Sequence, residues 1–192
     1  MTTDGPRRLP NIFVTGTPGT GKSTLSSQLV EQLQQHYIQE QEQDSTLPKW
    51  QHVNVGDDWV KAKQCYTGWN QEWQSWDVDE DKLLDELEPF QTPGAKVFDW
   101  HCCDIFPERW IDLVVVLRCN HSKLWERLEK RGYSINKIQE NNTAEIMNVV
   151  LEDARESYDK EIVVELESDN PDQVEDNINR IIQWVEAWRR DH

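Results

Sequence analysis

Two rhythms of apolar residues run through the chain. Short apolar stretches occur at Ile12-Phe13-Val14-Thr15, Ala95-Lys96-Val97-Phe98-Asp99, Ile111 to Leu117 and Ile162 to Leu166, and His52-Val53-Asn54-Val55 makes a short strand closed by Gly56-Asp57. Runs of this kind predict strands, and the branched content of Ile111 to Leu117 suits a strand buried in a parallel sheet. Elsewhere apolar residues return at helical spacing, which predicts helices from Lys22 to about Tyr37, over Lys82 to Leu87, from about Ser122 to Lys130, from about Thr143 to Tyr158 and from Pro171 to Arg190. Asp79-Glu80-Asp81 opens the second of these with carboxylates where the helix dipole favours them. Strand and helix alternate throughout, so the expected fold class is α/β, a parallel sheet with both faces covered.

Two stretches leave that rhythm, near 57–78 and 130–141, and neither marks a domain boundary. A chain of 192 residues suits a single α/β domain. Gln39 to Lys49 is polar and reads as an exposed loop or a helix extension, and Pro93-Gly94 as a turn. Trp59, Trp69, Trp73 and Trp76 cluster in the first excursion. Their spacing serves either a ring stacked on a base or a helix core, and packing is the favoured reading. Trp184 and Trp188, on the last helix, are expected in the core.

The strongest chemical signal sits between the first strand and the first helix. Gly16-Thr17-Pro18-Gly19-Thr20-Gly21-Lys22-Ser23 fits the phosphate-loop pattern in the strand-then-helix context it requires. Glycines there let successive backbone N–H groups turn inward around a polyphosphate, and the helix behind adds the positive end of its dipole. Lys22 is expected to reach the β and γ phosphates of a nucleoside triphosphate, and the Ser23 hydroxyl to ligate Mg²⁺.

A second carboxylate is needed on the metal side, and Asp99 ends an apolar strand where ligands of parallel sheets bind. The alternative is an aspartate that caps the following turn. His101, two residues on, shares the side of an extended chain with Asp99. It orients a water, shuttles a proton or touches the γ-phosphate, or else it is a packing residue. Phosphoryl transfer also demands cations that follow the moving charge. Arg131 stands out because Gly132 adjoins it at the start of a polar segment; Arg127 and Arg155 lie nearby in sequence.

Composition narrows the class. The net charge is −16, which repels phosphate backbones, so bulk nucleic-acid binding is not expected and a basic protein partner is favoured. Cys65, Cys102, Cys103 and Cys119 lack metal-ligand spacing, and reduced thiols are the default. No apolar run follows the charges of the N-terminus, and Leu113 to Leu117 is too short to span a bilayer, so neither a signal peptide nor a membrane anchor is expected.

The phosphate loop, Asn54-Val55-Gly56-Asp57, the block Asp99-Trp100-His101-Cys102-Cys103-Asp104-Ile105-Phe106-Pro107-Glu108-Arg109-Trp110, and Glu129-Lys130-Arg131-Gly132-Tyr133 together resemble the adenylate kinase isoenzyme 6 family. The resemblance spans about Leu9 to Asp191 and is carried most specifically by the block after Asp99. It implies a P-loop NTPase of adenylate-kinase-like three-layer fold with a five-stranded parallel sheet, a monophosphate-binding segment near 54–78 and a lid near 130–140. It implies a nucleoside monophosphate kinase acting on ATP and AMP with Mg²⁺, with ATPase activity. It further implies a monomer of nucleus and cytoplasm that works in maturation of the small ribosomal subunit and its 18S pre-rRNA, with a small-subunit ribosomal protein as partner. An alternative is mainly an ATP-hydrolysing assembly switch. By position the ATP site is Gly19, Gly21, Lys22, Ser23, Thr24 and Arg131, with Asp99 on the metal side and His101 as the motif histidine. The family often places an arginine soon after Gly-Asp; here Lys61 is the nearest cation.

Overall fold

The first strand, β1 (Asn11–Thr15), is buried at every position and occupies the middle of a sheet. A computed structural model describes residues 7–71 and 75–192. The sheet runs in the order β2 (Gln51–Asn54), β5 (Lys96–Asp99), β1, β6 (Leu113–Arg118), β7 (Val163–Glu167), and every pairing in it is parallel. Two further strands, β3 (Tyr66–Asn70) and β4 (Ser75–Val78), form a separate antiparallel pair.

Successive side chains of a strand point to opposite faces, and this alternation divides the apolar residues between two cores. Phe13, Phe98, Val114 and Val116 face one core with Leu83 and Leu87 of α2 (Glu80–Gln91) and Leu151 and Ala154 of α5 (Val149–Ser157). Ile12, Val14, Val97, Leu113, Val115 and Leu117 face the other, with Leu25, Leu29 and Leu33 of α1 (Lys22–Gln43) and Ile178, Ile181 and Val185 of α6 (Pro171–Asp191). The expected three layers are present. A third, small cluster joins Leu124 and Leu128 of α3 (His121–Lys130) to Ile138 of α4 (Ile135–Ile146).

Several expectations change in detail. α1 continues past Tyr37 to Gln43, so the polar stretch is helix extension as far as Gln43 and loop from Asp44 to Lys49, tied down where Gln41 donates to the Pro48 carbonyl at 2.8 Å. The single helix expected from Thr143 to Tyr158 is two, because Asn148 takes left-handed backbone at φ 58°. Asparagine tolerates that conformation, and its side chain is held by Arg118 at 2.6 Å. The aromatic excursion is a hairpin preceded by a π-type helical turn (Val55–Lys61), with Trp69 and Trp76 directly across from each other on its strands. Trp76 stacks on Tyr66 at 4.0 Å, Trp69 is 48% exposed, and Trp59 is buried against Phe90; Trp73 lies outside the described residues. Packing is therefore right for Trp59 and, on a strand rather than a helix, for Trp76, which flanks the same core, while Trp69 stays half exposed. Trp184 flanks the core part-buried, while Trp188 stacks on His192 rather than entering it. Among the described residues no helix is long and apolar enough to cross a membrane.

Candidate functional site

The loop after β1 bends because three of its glycines take positive φ: Gly16 at 143°, Gly19 at 99° and Gly21 at 97°. At Gly16 a Cβ would come within 2.6 Å of the Leu117 carbonyl oxygen, so β6 leaves room for nothing larger. The turn closes on itself through Thr20, whose amide and hydroxyl both donate to the Thr17 carbonyl, at 3.2 and 2.9 Å. α1 then starts without a side-chain cap and with no acidic residue in its first turn. Its first N–H groups thus face outward with a positive dipole behind them, the arrangement an anion requires.

Lys22 folds back over this turn and donates to the Gly16 carbonyl at 2.8 Å and the Thr17 carbonyl at 3.3 Å. Burial lowers its pKa to about 8, a shift that Arg131 reinforces and Asp99 opposes. The opposition follows from topology. β5 lies beside β1 with Asp99 in register with Val14, so the carboxylate stands next to the phosphate loop at the carboxyl end of the sheet. Asp99 is 4% exposed, and His52 on β2 reaches it at 3.3 Å. Nothing in the spacing of the sequence pointed to His52, which arrives there only because β2 pairs with β5.

His101 follows on the same side. Its residue keeps an exposed edge, but the surrounding protein, followed by the ammonium groups of Lys22 and Lys137, pushes the imidazole down to about 4 against the pull of Asp99. It is an uncharged ring at neutral pH. Beyond it the chain turns structural. Phe106 packs edge-on against Phe13 at 5.1 Å and its carbonyl accepts the Tyr158 hydroxyl at 3.3 Å, while Trp110 is buried. Burial also pushes the thiols of Cys102 and Cys103 up to about 12 and about 11, so both are unreactive.

A cleft of about 510 Å³ opens beside the loop, lined by Gly19, Gly21, Thr24, Arg127, Arg131 and Asn170 among others. That size suits a small-molecule ligand. Arg127 bolts the walls together, donating to the Gly19 carbonyl at 3.3 Å and the Asp169 carbonyl at 3.0 Å. Arg131 is exposed at the end of α3, and Gly132 ends the helix in left-handed backbone at φ 72°. The bonds Gly132 N–H to Glu129 and Tyr133 N–H to Leu128 satisfy the last carbonyls, which gives this glycine a helix-ending role. Arg155 is elsewhere, paired on the surface with Glu152 at 2.9 Å. Ser23 and Thr24 are exposed in the first turn of α1.

The donor set around the loop is hard oxygen, the Ser23 hydroxyl and the Asp99 carboxylate, beside a loop shaped for phosphate. This is the chemistry that suits Mg²⁺, which keeps few protein ligands and shares the rest with phosphates and water. The residues present fit that ion.

At the other edge of the sheet, after β2, Asn54 accepts the Asp57 N–H at 3.0 Å and starts the π-type turn. Gly56 is pressed under Trp100, whose ring a Cβ there would meet at 2.7 Å. Lys61 pairs with Asp57 at 2.5 Å, and Lys63 with Glu86 at 2.7 Å.

The AAA domain family matches residues 12–148. The adenylate kinase isoenzyme 6 homolog of Schizosaccharomyces pombe is 50% identical over 186 residues, 97% of either chain. The adenylate kinase isoenzyme 6 homolog FAP7 of Saccharomyces cerevisiae is 46% identical, covering 95% of this chain and 85% of that one. Among solved structures, shikimate kinase from Bacteroides thetaiotaomicron superposes with a TM-score of 0.59 at 13% identity, over 93% of this chain and 99% of the other, which speaks for the fold. With a glycine-bent phosphate loop, a carboxylate at the end of the adjacent strand and relatives this similar over nearly their whole length, the chain belongs to the adenylate kinase isoenzyme 6 family and is a nucleotide kinase of the P-loop fold.

Proposed function

We propose that this protein transfers the γ-phosphoryl group of MgATP to AMP or another nucleoside monophosphate, hydrolyses ATP as a second activity, and acts in the nucleus and cytoplasm in maturation of the small ribosomal subunit. The observation that carries the reading is the juxtaposition of Lys22, at the start of α1, and Asp99, at the end of the strand beside β1, close enough for the carboxylate to oppose the burial that lowers the ammonium's pKa. In this reading the N–H groups around Gly19 and Gly21, with Ser23 and Thr24, hold the triphosphate. Lys22 meets the β and γ phosphates. Ser23 and Asp99 hold Mg²⁺, which when bound neutralises charge on the phosphate oxygens. Arg131, on the wall of the nucleotide cleft, supplies a cation as the 130–140 segment closes. His101, uncharged at neutral pH, is fit to position the attacking water of the hydrolysis through a hydrogen bond.

Relatives named adenylate kinase support AMP as acceptor. The net charge of −16 supports a basic small-subunit ribosomal protein as partner. A second reading, mainly an ATP-hydrolysing assembly switch, is favoured by one observation. The chain from Leu9 to Glu108 has no arginine, and Lys61 is engaged by Asp57, so the monophosphate side lacks the bidentate cation a phosphate prefers. One measurement separates the two: ADP production with and without AMP, alongside phosphate release, on the same sample with and without the recombinant ribosomal protein. The kinase reading expects ADP formation that needs both nucleotides. If AMP adds nothing, it fails and the switch reading stands.

A further inference from the structure

Glu145, one residue before the end of α4, is a buried carboxylate far from Asp99 in the chain, yet it touches the phosphate loop. It is 3% exposed. Its Oε2 accepts the Thr17 hydroxyl at 2.5 Å, and its Oε1 accepts both Arg118 Nε at 2.8 Å and the Cys119 backbone N–H at 3.0 Å. Arg118 also donates to the Glu145 carbonyl at 2.8 Å and to Asn148 Oδ1 at 2.6 Å, which fixes the end of α4 to β6. A buried carboxylate is costly unless each oxygen is engaged, and here each is.

Thr17 is the second residue of the glycine-bent loop, and its two polar ends look in different directions. The hydroxyl is spent on Glu145. The carbonyl accepts the Thr20 amide, the Thr20 hydroxyl and, at 3.3 Å, the Lys22 ammonium. Holding the hydroxyl therefore fixes the peptide plane on which the lysine and the tight turn both rest. The contact bridges 128 positions of sequence, so no local rule of the loop supplies it.

We propose that Glu145 is a positioning residue for the phosphate loop: through the Thr17 hydroxyl it sets the Thr17 carbonyl, and through that carbonyl the Lys22 ammonium, where the triphosphate is met. Glu145 itself touches no nucleotide. The proposal rests on the reading of this loop as the ATP site.

The test is a series of calorimetric titrations with MgATP on the full chain, joined to steady-state kinetics. Thr17→Val keeps the volume and deletes the donor; its MgATP dissociation constant is expected to rise about tenfold or more, the loss of one hydrogen bond to a charged group. Thr17→Ser, which keeps the hydroxyl, is expected within about threefold of the parent. The KM for ATP should rise in Thr17→Val while the KM for AMP does not, a split that general loosening of the fold would not give. In a Glu145→Gln background Thr17→Val should cost less than it does in the parent, since the two act through one contact. Thr17→Val binding MgATP like the parent, equal losses in the Val and Ser variants, or additive losses in the double variant would each overturn the proposal. Should Thr17→Val not fold, Glu145→Gln decides: an unchanged MgATP dissociation constant overturns it, and a raised one with an unchanged KM for AMP supports it. Failure of the parent itself to bind MgATP would instead remove the ATP-site reading, and this inference with it.

Discussion

Around the phosphate loop, Gly16, Lys22 and Asp99 stand among buried strands, and their polar atoms are held by backbone carbonyls or by a neighbouring histidine. After β2, at the far edge of the sheet, Val55–Lys61 forms a π-type turn and Tyr66–Asn70 and Ser75–Val78 a two-stranded antiparallel pair, with Lys61 and Lys63 on the surface and tied to carboxylates. The first side is rigid because the sheet leaves no alternative geometry. The second is an appendage whose charges are solvated and exchangeable. The difference teaches where specificity is free to vary: the phosphate end is fixed by the fold, whereas the far end is decorated and open to change without loss of the sheet.

That contrast is open to direct attack. The largest effect is expected at Lys22: Lys22→Ala should lower ATP turnover on the order of 10²–10³-fold, as loss of a preorganised cation at a developing charge does. Phosphate release measured at saturating MgATP checks it, and a loss below about threefold would break the picture of a committed phosphate end. Next in size is the pH dependence. The Lys22 ammonium is the form that attracts phosphate, it persists below a pKa of about 8, and it is lost above it. The kcat/KM for MgATP should therefore hold at neutral pH and fall about tenfold per unit well above 8. His101, with a pKa of about 4, is uncharged throughout pH 5 to 8 and should add no inflection there. An inflection near 6 that disappears in His101→Gln would contradict this. The smallest effect is expected at Lys61, an exposed lysine paired with Asp57. Lys61→Ala should change the AMP-dependent rate less than about twofold, in keeping with the small worth of exposed ion pairs. A tenfold rise in the KM for AMP would make Lys61 the acceptor's cation and sharpen the comparison from the other side.

How much of this was legible beforehand follows from how local each cause is. The phosphate loop is a local device, so Gly16 to Ser23 announces itself with its flanks, and the parallel sheet shows because its central strands β5, β1 and β6 are buried apolar runs, with shorter edge strands between turn and helix signals. The hairpin hid because its pairing slips between Tyr66 and Gly68, which breaks the alternation a strand should show, and because tryptophans three or four apart imitate a helix stripe. The break after α4 hid because neither glycine nor proline marks it; Asn148 turns left-handed only with Arg118 to hold its side chain. His52 and Glu145 were beyond reach altogether. The first reaches Asp99 by strand order and the second reaches Thr17 across the fold, and neither order nor contact is written in nearby residues.

The small cluster of Cys119, Leu124, Leu128 and Ile138 is separate from the two cores that sandwich the sheet. Leu124 and Leu128 press on Gly19, and Arg127 holds the Gly19 and Asp169 carbonyls, so this cluster is seated on the phosphate loop itself. The helix that Arg131 caps thereby shares its footing with a glycine of the loop, and a displacement of one is carried directly to the other.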